Sequence, residues 1–435
     1  MKVCVFGLWH LGCVTAACLA QAGHQVVGLD VDPDVIDGLR RGKPPLFEPG
    51  LEALIKSGME AGRLRFETKP AVVADAEVAW VTFDTPVGDD DVPQPSIVVD
   101  HVESLFEYIP QGMLVLVSSQ LPVGTTRGLA HAAAAHGCRH ATFGYSPENL
   151  RLGRALDVFM KPDRIVVGLQ DEHDRDRVAA LLAPITDRIE WMGLESAEMT
   201  KHAINAFLAT SVAFMNEVAA VCESVGANAK DVERGLKSEE RIGRKAYLSP
   251  GGAFAGGTLA RDIVTLADLG RRGGVPVTLV SSVGDSNSQH RSWPLRKLKE
   301  RLGTLDGRRI AILGLTYKAG TSTLRRSSAV ELALELHSAG VEVIAFDPEV
   351  HDLPRDLAGR MALAGSAPEA LAQADAVVLA TAWPQFRDLA WPALLASMRH
   401  PIVVDANWFL AGSLGGGADV AYACVGLPWS TGTIR

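Results

Sequence analysis

The feature that most limits how this chain folds lies in its first 32 residues. Lys2 to Gly7 (KVCVFG) is a short apolar run and GLWHLG is a glycine turn. CVTAACLAQAG is a helix-like segment ending at Gly23, and QVVGLDVD is a second apolar run closing on Asp30 and Asp32. Strand, tight turn, helix and strand, with an acid some two dozen positions on, is the opening of a Rossmann unit. Its helix start faces a pyrophosphate and its acid faces ribose hydroxyls. The pattern places Gly7, Leu11 and Gly12 at the turn and helix start, and Asp30 at the ribose. The second glycine of the G-x-G-x-x-G pattern is Trp9 here. A glycine there lets the backbone approach the pyrophosphate, so either the turn is rearranged or cofactor affinity is altered.

The same arrangement returns late in the chain. RRIAILGLTYKAGT, SSAVELALELHSAG and VEVIAFDP, the last closing on Asp347, read as strand, glycine turn, helix and strand. ADAVVLATAW, with Trp383 at its end, and PIVVDA, ending at Asp405, are further strands. In the first part, strands VAWVTFDTP, MLVLVSSQ, ATFGYS and RIVVGL alternate with helices, one of them over 96–109. Such alternation means parallel doubly wound sheets with ligand loops at the strand C-termini. The ends to watch are Thr85-Pro86, Ser118-Ser119-Gln120 and Pro147-Glu148-Asn149. A chain of 435 residues, 47% hydrophobic, has ample core for several domains. A net charge of -9 argues against nucleic acid as the main partner. Six scattered cysteines, none in a C-x-x-C pair, read as buried reduced thiols in a cytoplasmic protein rather than as a metal site. A strand starting at residue 2 suggests no signal peptide. No apolar run is expected to be long enough to span a bilayer.

Two middle stretches carry the chemistry. Glu195 to Val225 is an Ala-rich segment without Pro or internal Gly, expected as one long helix. Lys201 and Asn205 share one of its faces. The ordinary fate of Lys201 is a solvated pair with Glu198. The otherwise apolar surroundings argue for partial burial instead, and for a neighbouring subunit covering the helix. The second stretch, PGGAFAGGTLARDI over Pro250 to Ile263, is a glycine-rich loop running into a helix start, where free N–H groups face an anion or oxyanion. The alternative is a mobile surface loop. A further long helix is expected over 278–301.

Short landmarks in order then identify a resemblance. Glu48-Pro49-Gly50-Leu51, Thr85-Pro86, Pro122-Val123-Gly124-Thr125 and Pro162-Asp163-Arg164 are the first. Glu198, Lys201 and Asn205 with AFMNE, Arg241-Ile242-Gly243, GLTYK with Leu324-Arg325, Asp347-Pro348, and TAW with Phe386 follow. Over nearly its whole length the chain resembles the UDP-glucose/GDP-mannose dehydrogenase family, whose members oxidise a primary alcohol of a nucleotide sugar to the carboxylate with two NAD⁺. The resemblance implies an α/β fold with two Rossmann-like doubly wound domains joined by a central all-helical domain with a long helix. The expected domains are an NAD-binding one over 1–190, a central helical one over 191–302 and a nucleotide-sugar-binding one over 303–435. A homodimer with no membrane partner and a setting in polysaccharide biosynthesis are implied as well.

The resemblance also implies roles. Lys201 and Asn205 would hold the substrate oxygen and its developing charge. Asp262 would position a water or take a proton, and Glu148 falls on the first glutamate of the family's PEFLxEG. Trp9, Thr85, Ser119 and Arg325 would join Gly7, Leu11, Gly12 and Asp30 around the cofactor. Asn149, Leu150, Arg151, Arg241, Tyr247, Phe254, Gly256 and Lys318 would hold the nucleotide sugar. The departures gather at the chemistry. The family's loop carries a cysteine nucleophile that traps the aldehyde; here that position is Thr258, with Arg261 for the loop lysine. A threonine alkoxide is not accessible near neutral pH without an activating base. Leu152 replaces the second glutamate, Gln120 a threonine, and Asn407 the arginine of the last-strand motif. The expected function is an NAD-dependent oxidation of a nucleotide-sugar alcohol; want of the thiol leaves open a stop after two electrons, a route through a hydrate, oxidation of a different carbon, or four-electron oxidation without the thiol. An NAD-retaining epimerase-like reaction or a non-catalytic nucleotide-sugar binder are the alternatives.

Overall fold

A computed structural model describes residues 1–86, 93–255, 257–414 and 420–431. They form two compact units, Met1–Ala203 and Ile204–Arg435.

The first unit is an eight-stranded sheet. Its strands are β1 (Lys2–Phe6), β2 (Gln25–Leu29), β3 (Leu64–Glu67), β4 (Val78–Val81), β5 (Leu114–Val117), β6 (Thr142–Tyr145), β7 (Ile165–Leu169) and β8 (Ile189–Gly193). Their order is β3-β2-β1-β4-β5-β6-β7-β8. The chain changes direction across the sheet between β1 and β4, which opens a crevice at their C-terminal ends. Strands such as β4 (VAWV) and β5 (LVLV) are buried throughout, as a sheet covered on both faces requires. Two apolar clusters fill those faces, one gathered round Val14, Leu19 and Ile55, the other round Phe106, Leu129 and Phe143. The sheet is not parallel to its end: β7 runs antiparallel to β6, and β8 is parallel to β7. A parallel return needs a helix laid across the sheet. The connection after β6 instead sends its short helix, Ala155–Met160, against the first helix, His10–Gln21.

The second unit begins within the long helix Leu194–Val225. Nothing in its sequence breaks it until Gly226, whose φ of +77° ends it in the left-handed region. By length and composition alone this helix is long and apolar enough to cross a bilayer, against the expectation, although 44% of its apolar window is buried. The expected helix over 278–301 is two, Thr278–Arg291 and Trp293–Leu302, because Pro294 starts a new first turn rather than continuing the old one. In the first unit the helix expected over 96–109 stops at Glu103, and a 3₁₀ turn, Phe106–Tyr108, follows. The sheet of the second unit comprises β9 (Arg309–Leu313), β10 (Glu342–Phe346), β11 (Ala362–Leu363), β12 (Ala376–Leu379), β13 (Ile402–Asp405), β14 (Ala421–Ala423) and β15 (Ser430–Thr431). Its order, β11-β10-β9-β12-β13-β14-β15, repeats the first sheet's, with only β15 antiparallel.

Candidate active site

The first unit brings its turn and its acid together. Gly7 has φ +97°, and a Cβ at Gly12 would lie 1.9 Å from the Gly7 carbonyl oxygen. The helix therefore starts pressed against the end of β1, as close phosphate approach requires. Asp30, 7% exposed, accepts the Leu8 N–H at 2.5 Å and the Asp32 N–H at 3.0 Å. Thr82, at the end of β4, donates to the Gly7 carbonyl at 2.8 Å. Thr85 donates to the Gln120 carbonyl at 2.6 Å. Ser119, 1% exposed, has a hydroxyl with no protein partner, which a bound group or a water would satisfy. The close-packed turn, the tethered acid and the orphan hydroxyl fit a dinucleotide. Leu11 is buried in the first helical turn, whereas Trp9 caps the helix with an extended backbone (φ -82°) and an indole 45% exposed. The turn thus keeps its shape without its second glycine, and the indole stands at its rim.

Lys201 does not pair with Glu198. Glu198 is fully buried and serves another helix end: it accepts Gly124 N–H at 2.6 Å, Thr126 N–H at 2.9 Å and the Thr126 hydroxyl at 2.7 Å. That helix, Thr125–Ala135, begins at Gly124, which has no side chain to cap it, so a carboxylate brought from 72 residues away satisfies its first amides. Lys201, 7% exposed, instead donates to the Glu148 carbonyl at 2.6 Å and to its carboxylate at 3.3 Å. Glu148 is positioned in turn by the Leu150 N–H at 2.8 Å. Asn149 and Arg151 beside it are exposed, Leu150 half-buried and Leu152 exposed. Glu48 clasps the same segment, accepting the Gly153 and Ala155 amides at 2.8 Å and meeting His10 at 2.9 Å.

In the second unit Asn205, 6% exposed, donates its amide to the fully buried Asp262. Asp262 lies near the start of the helix Thr258–Arg272. Thr258 is its first residue and is exposed. Gly251, Gly252 and Phe254 of the glycine-rich loop before it are held by side chains. Asn216 accepts Gly251 N–H at 3.1 Å, Asn407 accepts Gly252 N–H at 2.9 Å, and His290 meets the Gly251 carbonyl at 2.8 Å. Asn287 takes both polar groups of Phe254, its N–H at 2.9 Å and its carbonyl at 2.8 Å. Phe254 packs on Ala206, Ala209 and Ile263. Gly256 lies outside the described residues. Arg241, paired with Glu239 at 2.8 Å, and Tyr247, Lys318 and Arg325 are exposed. Sequence reasoning missed Thr82, Asn287 and His290. No local motif marks them, and only their position beside a turn or loop reveals their use.

Burial sets the state of four of the cysteines. Cys4 and Cys18 are pushed up to about 12 by burial, and burial raises Cys13 and Cys424 as well. Cys138 is half-buried, unlike the other five. Cys222 lies on the long helix, about 26 Å along its axis from Asn205.

Residues 1–186 match the UDP-glucose/GDP-mannose dehydrogenase family, NAD binding domain; residues 195–289 match its central domain and residues 311–411 its UDP binding domain. The chain is 34% identical over 426 residues to a UDP-glucose 6-dehydrogenase of Pseudomonas aeruginosa, covering 94% of this chain and 93% of that one. It is 32% identical to a UDP-glucose 6-dehydrogenase of Haloferax volcanii over 94% of this chain and 96% of that one. Among solved structures it resembles a UDP-glucose dehydrogenase of Pyrobaculum islandicum, with TM-score 0.86, 31% identity and 98% of each chain covered.

Proposed function

The chain belongs to the UDP-glucose/GDP-mannose dehydrogenase family, and on that premise we propose that it oxidises one alcohol carbon of a nucleotide sugar with NAD and stops at the carbonyl. It is an NAD-dependent oxidoreductase acting on CH–OH. Bound NAD⁺ supplies the hydride acceptor. Gly7, Leu11, Gly12, Asp30, Thr85 and Ser119 would hold it.

The observation that carries the reading is the buried Lys201 with its Glu148 partner. A buried ammonium costs free energy unless it is paired, and here Glu148 supplies the pairing for a buried cation on the long helix. We assign Lys201, and Asn205 one turn further along the same helix, to the reacting oxygen, whose charge grows as hydride leaves the carbon. The Asp262 carboxylate fixes the rotation of the Asn205 amide. Glu148, with its side chain 30% exposed, takes the hydroxyl proton and passes it to solvent. Oxidation beyond the carbonyl needs a covalent trap or a hydrate. Thr258 offers no thiolate, and burial disfavours the thiolates of Cys4, Cys13, Cys18 and Cys424.

Incubation with UDP-, GDP- and CDP-sugars and NAD⁺, counting NADH per sugar consumed, tests this. One NADH per sugar is expected. Two would sink the two-electron limit, conversion with no net NADH would mean a redox-neutral reaction, and binding without conversion would mean a non-catalytic family member. A Thr258→Cys variant is expected to raise the count above one. We also assign a homodimer. Phe207, Phe214 and Val221 are 68%, 49% and 60% exposed at seven-residue spacing on the long helix, an apolar stripe that a second copy would cover; light scattering showing a monomer would remove it. The unpaired cysteines favour the cytoplasm.

A further inference from the structure

The backbone polar groups of Gly251, Gly252 and Phe254, in the loop before Thr258, meet side chains rather than a sheet or helix. Asn216 reaches it from the long helix, Asn287 and His290 from the helix Thr278–Arg291, and Asn407 from the turn after β13. The first three are at most 9% exposed. Asn407 alone comes from the C-terminal sheet, 155 residues away. Its own turn is rigid. Asp405 is fully buried and accepts the Asn407 N–H at 3.2 Å, the Leu410 N–H at 2.7 Å and the Tyr422 hydroxyl at 2.8 Å. Trp408 is held at φ +60°, a conformation that a bulky residue adopts only when its surroundings impose it. Its indole donates to the Val425 carbonyl at 2.8 Å. The fit to the loop is tight, since a Cβ at Gly251 would lie 2.7 Å from Asn407 Oδ1.

We infer that Asn407 is a positioning residue, which fixes the Gly251–Gly252 turn on the C-terminal sheet and so sets where the loop delivers Thr258 and the first turn of its helix. The contact uses an acceptor. An arginine, the residue implied here by the family resemblance, carries only donors and could not take the Gly252 N–H. Position 407 therefore serves the loop backbone in this chain. This inference rests on the reading of the loop as the reacting loop.

The test uses the full-length protein with NAD⁺ and UDP-glucose. Two variants are compared: Asn407→Asp, which keeps the acceptor, and Asn407→Leu, which keeps the volume and removes it. Asn407→Leu is expected to speed amide exchange over 251–255 by about tenfold or more. It is also expected to lower kcat by about tenfold to a hundredfold, as a displaced reacting group does, with UDP affinity within about threefold of the parent. Asn407→Asp is expected to match the parent in all three. Unchanged exchange in Asn407→Leu overturns the inference, as does weaker UDP binding with exchange unchanged, or an Asn407→Asp variant that behaves like Asn407→Leu. Faster exchange with undiminished kcat overturns the positioning role together with the reading of the loop as reacting. An inactive parent whose loop still responds to Asn407→Leu counts against the functional reading alone, because exchange needs no turnover. Should Asn407→Leu not fold, Asn407→Ser, too short to reach Gly252, takes its place with the same expectations.

Discussion

The two sheets carry the same turn-and-acid device and use it differently. In the first, Gly7 at φ +97° turns the chain out of β1 and Asp30 at the end of β2 accepts the amide of Leu8. In the second, Gly314 at φ +90° turns the chain out of β9 and Asp347 at the end of β10 accepts the amide of Leu315. There the likeness ends. Asp347 also accepts Thr316 N–H at 2.9 Å, the Thr316 hydroxyl at 3.0 Å, the Trp383 indole at 3.0 Å and Glu349 N–H at 2.9 Å. A carboxylate has about four lone-pair sites, and five donors of its own fold crowd Asp347, four of them on Oδ2. Asp30 shows two amide partners, which leaves acceptor capacity for ribose hydroxyls. The connections differ too. The first helix begins at His10, three residues past its glycine, whereas the second begins at Ser328, after a long segment bearing Tyr317, Lys318 and Arg325. The first half sets a helix start directly after its turn; the second sets a loop there. One backbone device thus leaves an acid with room to accept in one sheet and makes a closed structural joint in the other.

That contrast can be broken or sharpened by measurement. The largest effect is expected from Lys201→Ala in the first unit, a loss of about a hundredfold to a thousandfold in kcat with NAD affinity retained; full turnover would refute the assigned mechanism. Next comes Asp347→Ala, expected to cost about 3–5 kcal/mol of stability by leaving several buried donors unmet, with NAD binding unaffected in the protein that remains folded. Denaturant melts with NAD titration check it, and a small change in stability would deny Asp347 its structural role. Asp30→Ala is expected to do the reverse, weakening NAD by about tenfold to a hundredfold while moving stability less, as calorimetric titration would show. Acid melts sharpen the pair. Burial alone would raise Asp347, but the amides of Thr316, Glu349 and Leu315 and the Trp383 indole hold its carboxyl below the usual carboxylate range. Its stabilising contribution is therefore complete above the ordinary aspartate value and lost as pH falls through the lowered one. Asp347→Asn is expected to flatten that acid limb. The smallest effect is Trp383→Phe, about 1 kcal/mol for one hydrogen bond, read as a shift in denaturant midpoint.

His290 gives a separate pH signature. Burial lowers its imidazole below the ordinary histidine value, only partly opposed by the Gly251 carbonyl. A histidine kept neutral by the fold stabilises fully above its ordinary value near about 6.5, and that contribution is lost as pH falls through the lowered one. His290→Gln is expected to flatten the fall in melting temperature below pH about 6.5; an unchanged profile would show that His290 does not hold the loop by its charge state.

The first unit's opening and its late echo were legible because each is a local pattern: a strand, a turn that demands glycine, a helix and an acid. The long helix was legible for the same reason, through the absence of Pro and Gly over 195–225. The landmarks set Glu148, Lys201, Asn205 and Asp262 apart before any coordinates. What remained hidden depends on partners distant in sequence. Glu198 looked like the companion of Lys201 by helical spacing, yet the uncapped helix at Gly124 takes it. The reversal of β7 follows from where the Ala155–Met160 helix packs, and no local signal marks that choice. The break at Ser292 was readable from Pro294, although the stretch on either side of it is helical.

The amino-acid sequence by itself determined the family, the two turn-and-acid units and the long central helix. Periodicity, glycine and proline act within a few residues, so they are written along the chain. Only the tertiary structure decided that Lys201 faces Glu148, that Asp347 is closed by Trp383 while Asp30 is not, and that Asn407 holds a loop 155 residues away. A buried donor or acceptor must find a partner, and which partner it finds is settled by what packing brings within about 3 Å.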